Sequence, residues 1–367
     1  MSEAINPLKY TIMKTILKFA VIIIFALFIT ACSDVDQATA SEPEAKSATQ
    51  LALKNGGSVI NQEYPDAQAE VLKTFMAIAT SITNGAGLGA DSEYMDQLIS
   101  FHDYDAMFTE FNYDFNGNGF LTDSEGNEEH ERMLFGEIVK PGGVKQFAAL
   151  PGTLKVAVYY GSVANLTFVS DFVLDTYPLG EITVNNLITL LFVKTNGEWK
   201  MVHEHHSPLT ILPSTGIKPS NILSEFDPSS ASAAQLEVYA TFGAIGATIM
   251  ANSGTGAENM DELISFHAYG PKFTEFNYDA EGNGFLTNSE GNEEHERALF
   301  GNYTVEKFAY IEKTLNIALY HRNVANVTFI SDFEVEGIGT INNLITLLFV
   351  KTKGEWKMVH EHHSPVN

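Results

Sequence analysis

Residues 185–195 and 197–208 read NNLITLLFVKT and GEWKMVHEHHSP, and both strings return at residues 342–352 and 354–365. Two earlier strings return in the same order. They are FTEFNYD at 108–114 and 273–279, and SEGNEEHER at 124–132 and 289–297. The chain therefore contains one unit written twice. Because this unit is far longer than the roughly 20–50 residues of a solenoid repeat, each copy is expected to be a complete domain.

Each unit begins with helical periodicity and ends with strand-like segments. Apolar residues recur at intervals of three and four in residues 67–83 and 233–250, which predicts a long first helix. A short second helix, a strand in FTEFN and a third helix in GNEEHER are expected next, and the rest alternates as strands. Helices followed by a long antiparallel run predict an α+β fold, with the helices packed on one face of a curved antiparallel sheet.

The ending G-E-W-K-M-V-H-E-H-H-S, after this order of elements, resembles the SnoaL-like branch of the nuclear-transport-factor-2-like superfamily. The string W-x-x-V-H-x-H-x-S also resembles the association domain of calcium/calmodulin-dependent kinase. The resemblance implies two tandem cone-shaped domains, each with its mouth between helices and sheet. It also implies pairing through the sheet, as a pseudo-dimer within the chain or as a homo-oligomer. The superfamily includes isomerases, cyclases, dehydratases and non-catalytic assembly modules, so the fold does not decide the chemistry.

Composition narrows the function classes. The 367 residues carry 21 Lys and Arg against 46 Asp and Glu, a formal charge of −25, so the surface should repel nucleic-acid phosphates. We expect no nucleic-acid partner. The single cysteine, Cys32, excludes an intramolecular disulfide, a cysteine-rich zinc site and a two-cysteine redox motif.

The N-terminal sequence indicates export. Residues 13–32 read MKTILKFAVIIIFALFITAC, with a cationic start, an apolar stretch and small residues before Cys32. The ending I-T-A-C resembles a bacterial lipobox, which implies lipidation of Cys32 and, with Ser33 after it, an outer-membrane lipoprotein facing the periplasm or the exterior. An uncleaved transmembrane anchor is the alternative, although the apolar run is shorter than the roughly 20 residues that span a bilayer.

The expected organisation follows from these segments. It comprises a lipoprotein signal peptide and lipidation site (1–32), a flexible tether (33–62), a first SnoaL-like domain (63–208), a Pro- and Ser-rich linker (209–233) and a second SnoaL-like domain (234–367).

The histidine-rich final strand is one candidate site. Alternation on a strand predicts that Trp199, Met201, His203 and His205 share one face, opposite Val202, Glu204 and His206. Three interpretations stay open: the histidines bind backbone or line a subunit contact, line a pocket, or hold a transition metal. No carboxylate spacing completes a metal triad with them. Adding the histidine after the second helix and an aspartate of a middle strand gives the pocket candidates His102, Asp171, His203, His205, His267, Asp332, His360 and His362.

The loop from Asp114 to Glu125 matches the calcium-binding pattern D-x-[DN]-x-[DN]-G-x5-E. Two observations argue against calcium. The preceding FTEFNY alternates like a strand, whereas an EF-hand needs an incoming helix. A surface turn also explains the same composition. The candidate calcium ligands are Asp114, Asn116, Asn118, Phe120, Thr122 and Glu125, with Asp279, Glu281, Asn283, Phe285, Thr287 and Glu290 in the second copy.

These patterns favour an envelope lipoprotein that acts as a non-catalytic module binding a small hydrophobic ligand or a protein partner. A SnoaL-like isomerase, cyclase or dehydratase that moves protons with a pocket histidine or aspartate is the enzymatic alternative. A calcium-binding surface module is a third. The lipid anchor would supply the only membrane contact.

Overall fold

The computed structural model describes residues 63–104, 107–114, 117–177, 179–211 and 226–366. The predicted signal peptide, the lipidation site Cys32 and the tether lie outside the described residues, and so does most of the linker. Within the described ranges, no helix is both long and apolar enough to cross a membrane.

Each repeat folds into helices followed by strands. The elements of the first domain are α1 (Pro65–Gly85), α2 (Glu93–Ser100), β1 (Thr109–Tyr113), β2 (Gly119–Thr122), α3 (Ser124–Met133), a π-helical turn (Leu134–Ile138), β3 (Val139–Ala149), β4 (Lys155–Tyr159), β5 (Val163–Thr176), β6 (Gly180–Val184), β7 (Asn186–Thr195) and β8 (Glu198–Pro208). Those of the second are α4 (Ala233–Asn252), a 3-10 turn (Ala257–Asn259), α5 (Asp261–Ile264), β9 (Thr274–Tyr278), β10 (Gly284–Thr287), α6 (Ser289–Asn302), β11 (Val305–Tyr310), β12 (Asn316–Tyr320), β13 (Val324–Val335), β14 (Gly339–Ile341), β15 (Asn343–Thr352) and β16 (Glu355–Pro365).

The long first helix forms because its sequence supplies both a start and a buried face. Pro65 occupies the first turn of α1, where its missing N–H costs no hydrogen bond. Val71, Phe75, Ile78 and Ile82, spaced by three or four residues, are buried against the sheet. The expected helix and its apolar face are confirmed.

Each sheet has eight strands. In the first domain the order is β2-β1-β8-β7-β5-β3, and β4 and β6 also pair with the long strand β5. One pairing departs from the expected antiparallel sheet: β1 runs parallel to β8, with Thr109 opposite His203. The α+β class with two tandem domains is confirmed, but the sheets are mixed, and β1 lies beside the histidine-rich strand β8.

The two domains pack against each other through the sheet faces that the helices leave uncovered. Each domain keeps its own core under its helices. A third apolar cluster joins the domains and includes Leu191 and Val202 from the first with Leu348 and Val359 from the second. The Tyr113 hydroxyl donates to the Pro365 carbonyl at 2.7 Å, and Tyr278 makes the equivalent contact with Pro208. The chain is therefore a pseudo-dimer of its own two halves.

Candidate functional site

A β-bulge in β8 sorts its side chains between the two faces of the sheet. Leu191 pairs with His203 and Phe192 with Met201, so Val202 is the extra residue. The expected opposition of His203 to Glu204 is confirmed. The grouping of Trp199 and Met201 with His203 was wrong, because the bulge shifts the alternation. Trp199 and Met201 pack in the core under the helices, and Val202 joins the contact between the domains.

Four candidate histidines lie in the contact between the domains rather than in a cone: His203, His205, His360 and His362, each with no exposed surface. His203 Nε2 and His205 Nδ1 lie 3.0 and 2.9 Å from the Thr346 hydroxyl of the other domain. The rings of His205 and His362 stack with their centroids 3.6 Å apart. These four side chains therefore fit the interpretation in which the histidines line a subunit contact, which here is the contact between the two domains.

Burial keeps these histidines neutral. It lowers the pKa of His203 to about 4 and that of His360 to about 3, despite hydrogen bonds to the Thr109 and Thr274 carbonyls. Burial and the neighbouring imidazoles also hold the pKa values of His205 and His362 well below the ordinary value. A neutral ring has one donor and one acceptor nitrogen, which suits the alternation of imidazoles with hydroxyl groups in this contact.

The other face of β8 contributes to a buried charged cluster under the helices. Main-chain hydrogen bonds from Asp103 to Met201 and from Met201 to Phe101 hold the end of α2 beside β8, which places His102 next to Glu204. His102 Nε2 lies 3.0 Å from Glu204 Oε1 and 3.6 Å from Glu131 Oε2. The other nitrogen of His102, Nδ1, donates to the Leu98 carbonyl at 3.2 Å.

Helix α3 supplies the third wall of the cluster. Asp123 begins the helix by accepting a hydrogen bond from the Gly126 N–H. Asn127, His130 and Glu131 then follow at i, i+3 and i+4 and share one face. The Asn127 amide donates to Glu110 at 3.0 Å and to Glu204 at 3.1 Å, so it links the carboxylate of β1 with that of β8.

The pKa values of the glutamates in the cluster are shifted in opposite directions. Burial opposes charge on His102, but Glu131 and Glu204 outweigh it and raise the pKa of His102 to about 9. Burial also opposes the charge on Glu204, yet the hydrogen bonds from His102 and His206 hold its pKa far below the usual range. Burial, aided by the charges of Glu204 and Glu110, raises the pKa of Glu131 to about 7 against the attraction of His102.

The second domain repeats the cluster with similar distances from its histidine to its two glutamates, but there the Glu275 Oε2 atom has no hydrogen-bond partner. His267 Nε2 lies 3.1 Å from Glu361 Oε1 and 3.4 Å from Glu296 Oε2. Asn292 donates to Glu361 at 3.0 Å. Burial, with the charges of Glu361 and Glu275, raises the pKa of Glu296 to about 8 against the attraction of His267. An open hollow of about 580 Å³ lies outside this cluster and has Tyr269 in its lining, with Glu290, Glu293 and Arg297 among the others.

Sequence spacing indicated no carboxylate that completes a metal triad, but tertiary packing brings such a group of side chains together in each domain. His102, Glu131 and Glu204 bring three ligand atoms within 4.8 Å of one another, and the second domain's triad, His267, Glu296 and Glu361, does the same. Sequence spacing missed the triad because its members come from α2, α3 and β8. The composition of α3 gave no signal of the triad, because a helix that is polar on nearly every side usually lies at the surface.

Asp171 and Asp332, the remaining pocket candidates, are not part of these clusters. Asp171 is half-buried on β5 and accepts a hydrogen bond from Gln146 on the neighbouring strand. Asp332 forms an ion pair with Lys307 at 2.6 Å. Strand alternation places the adjacent Phe172 in the core, so Asp171 points away from the helices. Their assignment to a pocket is corrected.

The candidate calcium loops form β-hairpins rather than EF-hand loops. In the first, Asp114 accepts hydrogen bonds from the Asn118 main chain and side chain, and the turn lies at Gly117, whose φ is +79°. Phe120 and Thr122 pair with β1 inside β2, while Glu125 is exposed in the first turn of α3.

The second loop has the same form. Asp279 accepts from Asn283, Phe285 and Thr287 lie in β10, and Glu281 and Glu290 are exposed. Asn116 lies outside the described residues. Among the described histidine and acidic side chains, those that could hold a metal ion as groups of three do not include Asp114, Glu125 or the acidic residues of the second loop. Calcium binding at either loop stays a prediction.

A set of half-buried apolar side chains packs against the core of each domain, and we call this set the cone mouth. In the first domain it comprises half-buried residues packed on the core, namely Met76, Phe135, Phe147, Ile182 and Val184. The Phe147 ring stacks on Phe172 at 3.9 Å.

The second mouth contains Phe300, Phe308, Phe333 and Ile341. Among its differences from the first mouth, the residue equivalent to Met76 is the exposed Gly243, and Gly339 pairs where Ile182 pairs in the first domain. A Cβ atom at Gly243 would meet no atom within 4 Å, so the helix surface is open at this position.

The fold and the matched sequence define the class of the protein: the SnoaL-like domain family matches residues 93–211 and 288–367, together more than half of the chain. The chain belongs to this family and contains its domain twice. No curated protein matches the sequence.

Several solved structures are similar to one domain at a time. The association domain of C. elegans CaMKII is 18% identical and covers 40% of this chain and 99% of its own length, with a TM-score of 0.30. The CamKII hub homology domain of Chlamydamonas reinhardtii is 18% identical and covers 37% and 100%, with a TM-score of 0.29. An NTF2-like protein of unknown function from Pseudomonas putida is 14% identical and covers 36% and 87%, with a TM-score of 0.29.

Proposed function

We propose that the protein is a non-catalytic, envelope-anchored SnoaL-like module that binds a small apolar ligand at the cone mouth, with the second domain as the main binding domain. The observation that carries this proposal is the set of half-buried apolar side chains at each cone mouth. Soluble domains usually leave only small apolar patches exposed, and a group of apolar side chains in a concave fold is typical of a ligand site.

The difference between the two mouths supports the choice of the second domain. Met76 occupies the first mouth and packs on its core, whereas Gly243 leaves the same position free. An apolar ligand that fills this space would contact the rings of Phe308 and Phe333, which stack with centroids 4.4 Å apart. Each buried methylene of such a ligand is worth about 0.8 kcal/mol.

The anchoring part of the proposal rests on residues 13–32, with Cys32 as the acceptor of the lipid. A lipid chain gains about 0.8 kcal/mol per buried methylene, and more than one chain gives stable anchoring. The test compares wild type with Cys32→Ser in a Gram-negative host. Mass spectrometry should find acyl chains on wild-type Cys32, and membrane fractions should retain wild type but release the variant.

The ligand test fills the open mouth. We expect the purified chain to enhance the fluorescence of anilinonaphthalene sulfonate, and Gly243→Met to reduce that binding at least tenfold, because the methionine occupies the site. Leu236→Met, at an exposed position of the same helix, is the matched control and should bind as wild type does. Unchanged binding by Gly243→Met would remove the ligand site from the second mouth.

A further inference from the structure

The inner cluster of each domain contains a buried carboxylate oxygen on its third helix that no described protein group satisfies. Glu131 is 8% exposed, and its Oε2 atom is buried without a hydrogen-bond partner; Glu296 repeats the arrangement at 8% exposure. A buried carboxylate oxygen without a partner costs free energy, so its persistence in both copies needs a cause. The His102 Nε2 atom lies 3.6 Å from Glu131 Oε2, beyond hydrogen-bond distance.

We propose that His102, Glu131 and Glu204, and equally His267, Glu296 and Glu361, each bind one divalent transition-metal cation. Three ligands placed about 2.0–2.2 Å from one cation lie roughly 3.0–3.6 Å from each other. The distances from the histidine Nε2 atoms to the carboxylate oxygens are 3.0 and 3.6 Å in the first domain and 3.1 and 3.4 Å in the second.

The surroundings of the triad are those of a metal site. A metal-binding histidine usually donates its other ring N–H to a carbonyl, which fixes the ring, and His102 does this to Leu98 and His267 to Ile264. Asn127 and His206 hold the Glu204 carboxylate by hydrogen bonds at 3.1 and 2.9 Å. A cation that binds here takes lone pairs from His102 Nε2 and from the two carboxylates, so any proton held on these atoms leaves to solvent as the cation binds.

The ligand types select the class of cation. Calcium and magnesium take oxygen ligands, so an imidazole nitrogen in the set disfavours both. One imidazole with two carboxylates suits a first-row cation from manganese to zinc, and zinc is the practical probe because it binds among the tighter of them. This inference concerns the charged cluster and does not depend on a ligand at the cone mouth.

The experiment counts zinc on the full chain. After treatment with a chelator, incubation with zinc and removal of the excess, elemental mass spectrometry should find two zinc ions per wild-type chain and one per Glu131→Gln chain. Glu131→Gln/Glu296→Gln should hold none. The control Glu128→Gln/Glu293→Gln changes carboxylates of the same helices that are 40% exposed, and it should keep two.

Fewer than two zinc ions per wild-type chain, an unchanged count in the inner double variant, or an equal loss in the control would overturn the proposal. If the inner double variant does not fold, zinc-edge X-ray absorption of wild type decides instead. A shell of oxygen atoms with one imidazole, at about 2.0–2.1 Å, supports the site. Two or more imidazoles per zinc would assign the metal to the histidines between the domains and overturn it.

Discussion

Replacing His203 with Asn should make the stability difference between variant and wild type depend on pH. His203 donates Nδ1–H to the Thr109 carbonyl at 2.9 Å and accepts from the Thr346 hydroxyl at Nε2, 3.0 Å away. The Asn side chain keeps an N–H group that can donate to the Thr109 carbonyl, but it has no atom in the place of Nε2 to accept from the Thr346 hydroxyl. At pH 8, where the ring is neutral whether the chain is folded or unfolded, the variant should therefore be less stable than wild type.

The magnitude follows from linkage. Burial lowers the pKa of His203 from 6.5 to about 4, so below pH 6.5 the unfolded chain binds a proton that the folded chain refuses. Wild type then loses about 1.4 kcal/mol per pH unit until the folded pKa is reached, or about 2 kcal/mol at pH 5. Asn does not titrate, so the stability gap between wild type and variant should narrow by about 2 kcal/mol from pH 8 to pH 5.

The quantity to measure is the difference in free energy of unfolding between wild type and His203→Asn, rather than the pH dependence of wild type alone. The raised pKa values of Glu131 and Glu296 stabilise the fold as the pH falls from about 8 towards 4.5, which opposes the loss from the buried histidines. Urea denaturation of both proteins at half-unit pH steps gives the gap directly. Leu88→Ala, which changes no ionisable group and lies at an exposed position, is the control and should show a constant gap. A gap for His203→Asn that stays constant to pH 5 would refute the claim that this ring is buried in its neutral form.

Three further predictions concern the contact, a helix start and the hairpin loops. Leu348→Ala, at a 1% exposed position between the domains, should lower the free energy of unfolding by about 3 kcal/mol in urea denaturation, whereas Leu88→Ala at 55% exposure should change it by less than about 0.5. Asp123→Ala removes the cap of α3 and should cost about 1 kcal/mol in the same assay; an unchanged midpoint would contradict the cap. If the hairpin loops bind calcium, titration calorimetry at millimolar calcium should show heat that Asp114→Asn/Asp279→Asn lacks, and no heat from wild type would end that hypothesis.

The sequence predicts the elements of this fold well because their signals are local. The apolar spacing of Val71, Phe75 and Ile78 predicts α1, and the nearly continuous apolar run of residues 187–193 predicts β7 as a buried strand. The bulge at Val202 depends on the pairing of β8 with β7 and leaves no mark in the composition of either strand. Strict alternation therefore predicts the wrong face of β8 for Trp199 and Met201.

The charged cluster could be predicted only in part. His102 was identified from the sequence, but its partners Glu131 and Glu204 are 29 and 102 positions away and meet it only through tertiary packing. Helix α3 is polar on nearly every side, and such a helix usually indicates a solvated surface. Its buried Asn127 and Glu131 become visible only when β1 and β8 are placed beneath it.

Covalent duplication changes what evolution can do with the surface shared by the two halves. In a dimer of separate chains every substitution appears twice, and assembly falls away on dilution; here the second half is always present at the high local concentration set by the connecting segment. In a single chain, one replacement can therefore alter one half alone, as the difference between Met76 in the first mouth and Gly243 in the second illustrates. One half is then free to specialise while the other maintains the partnership.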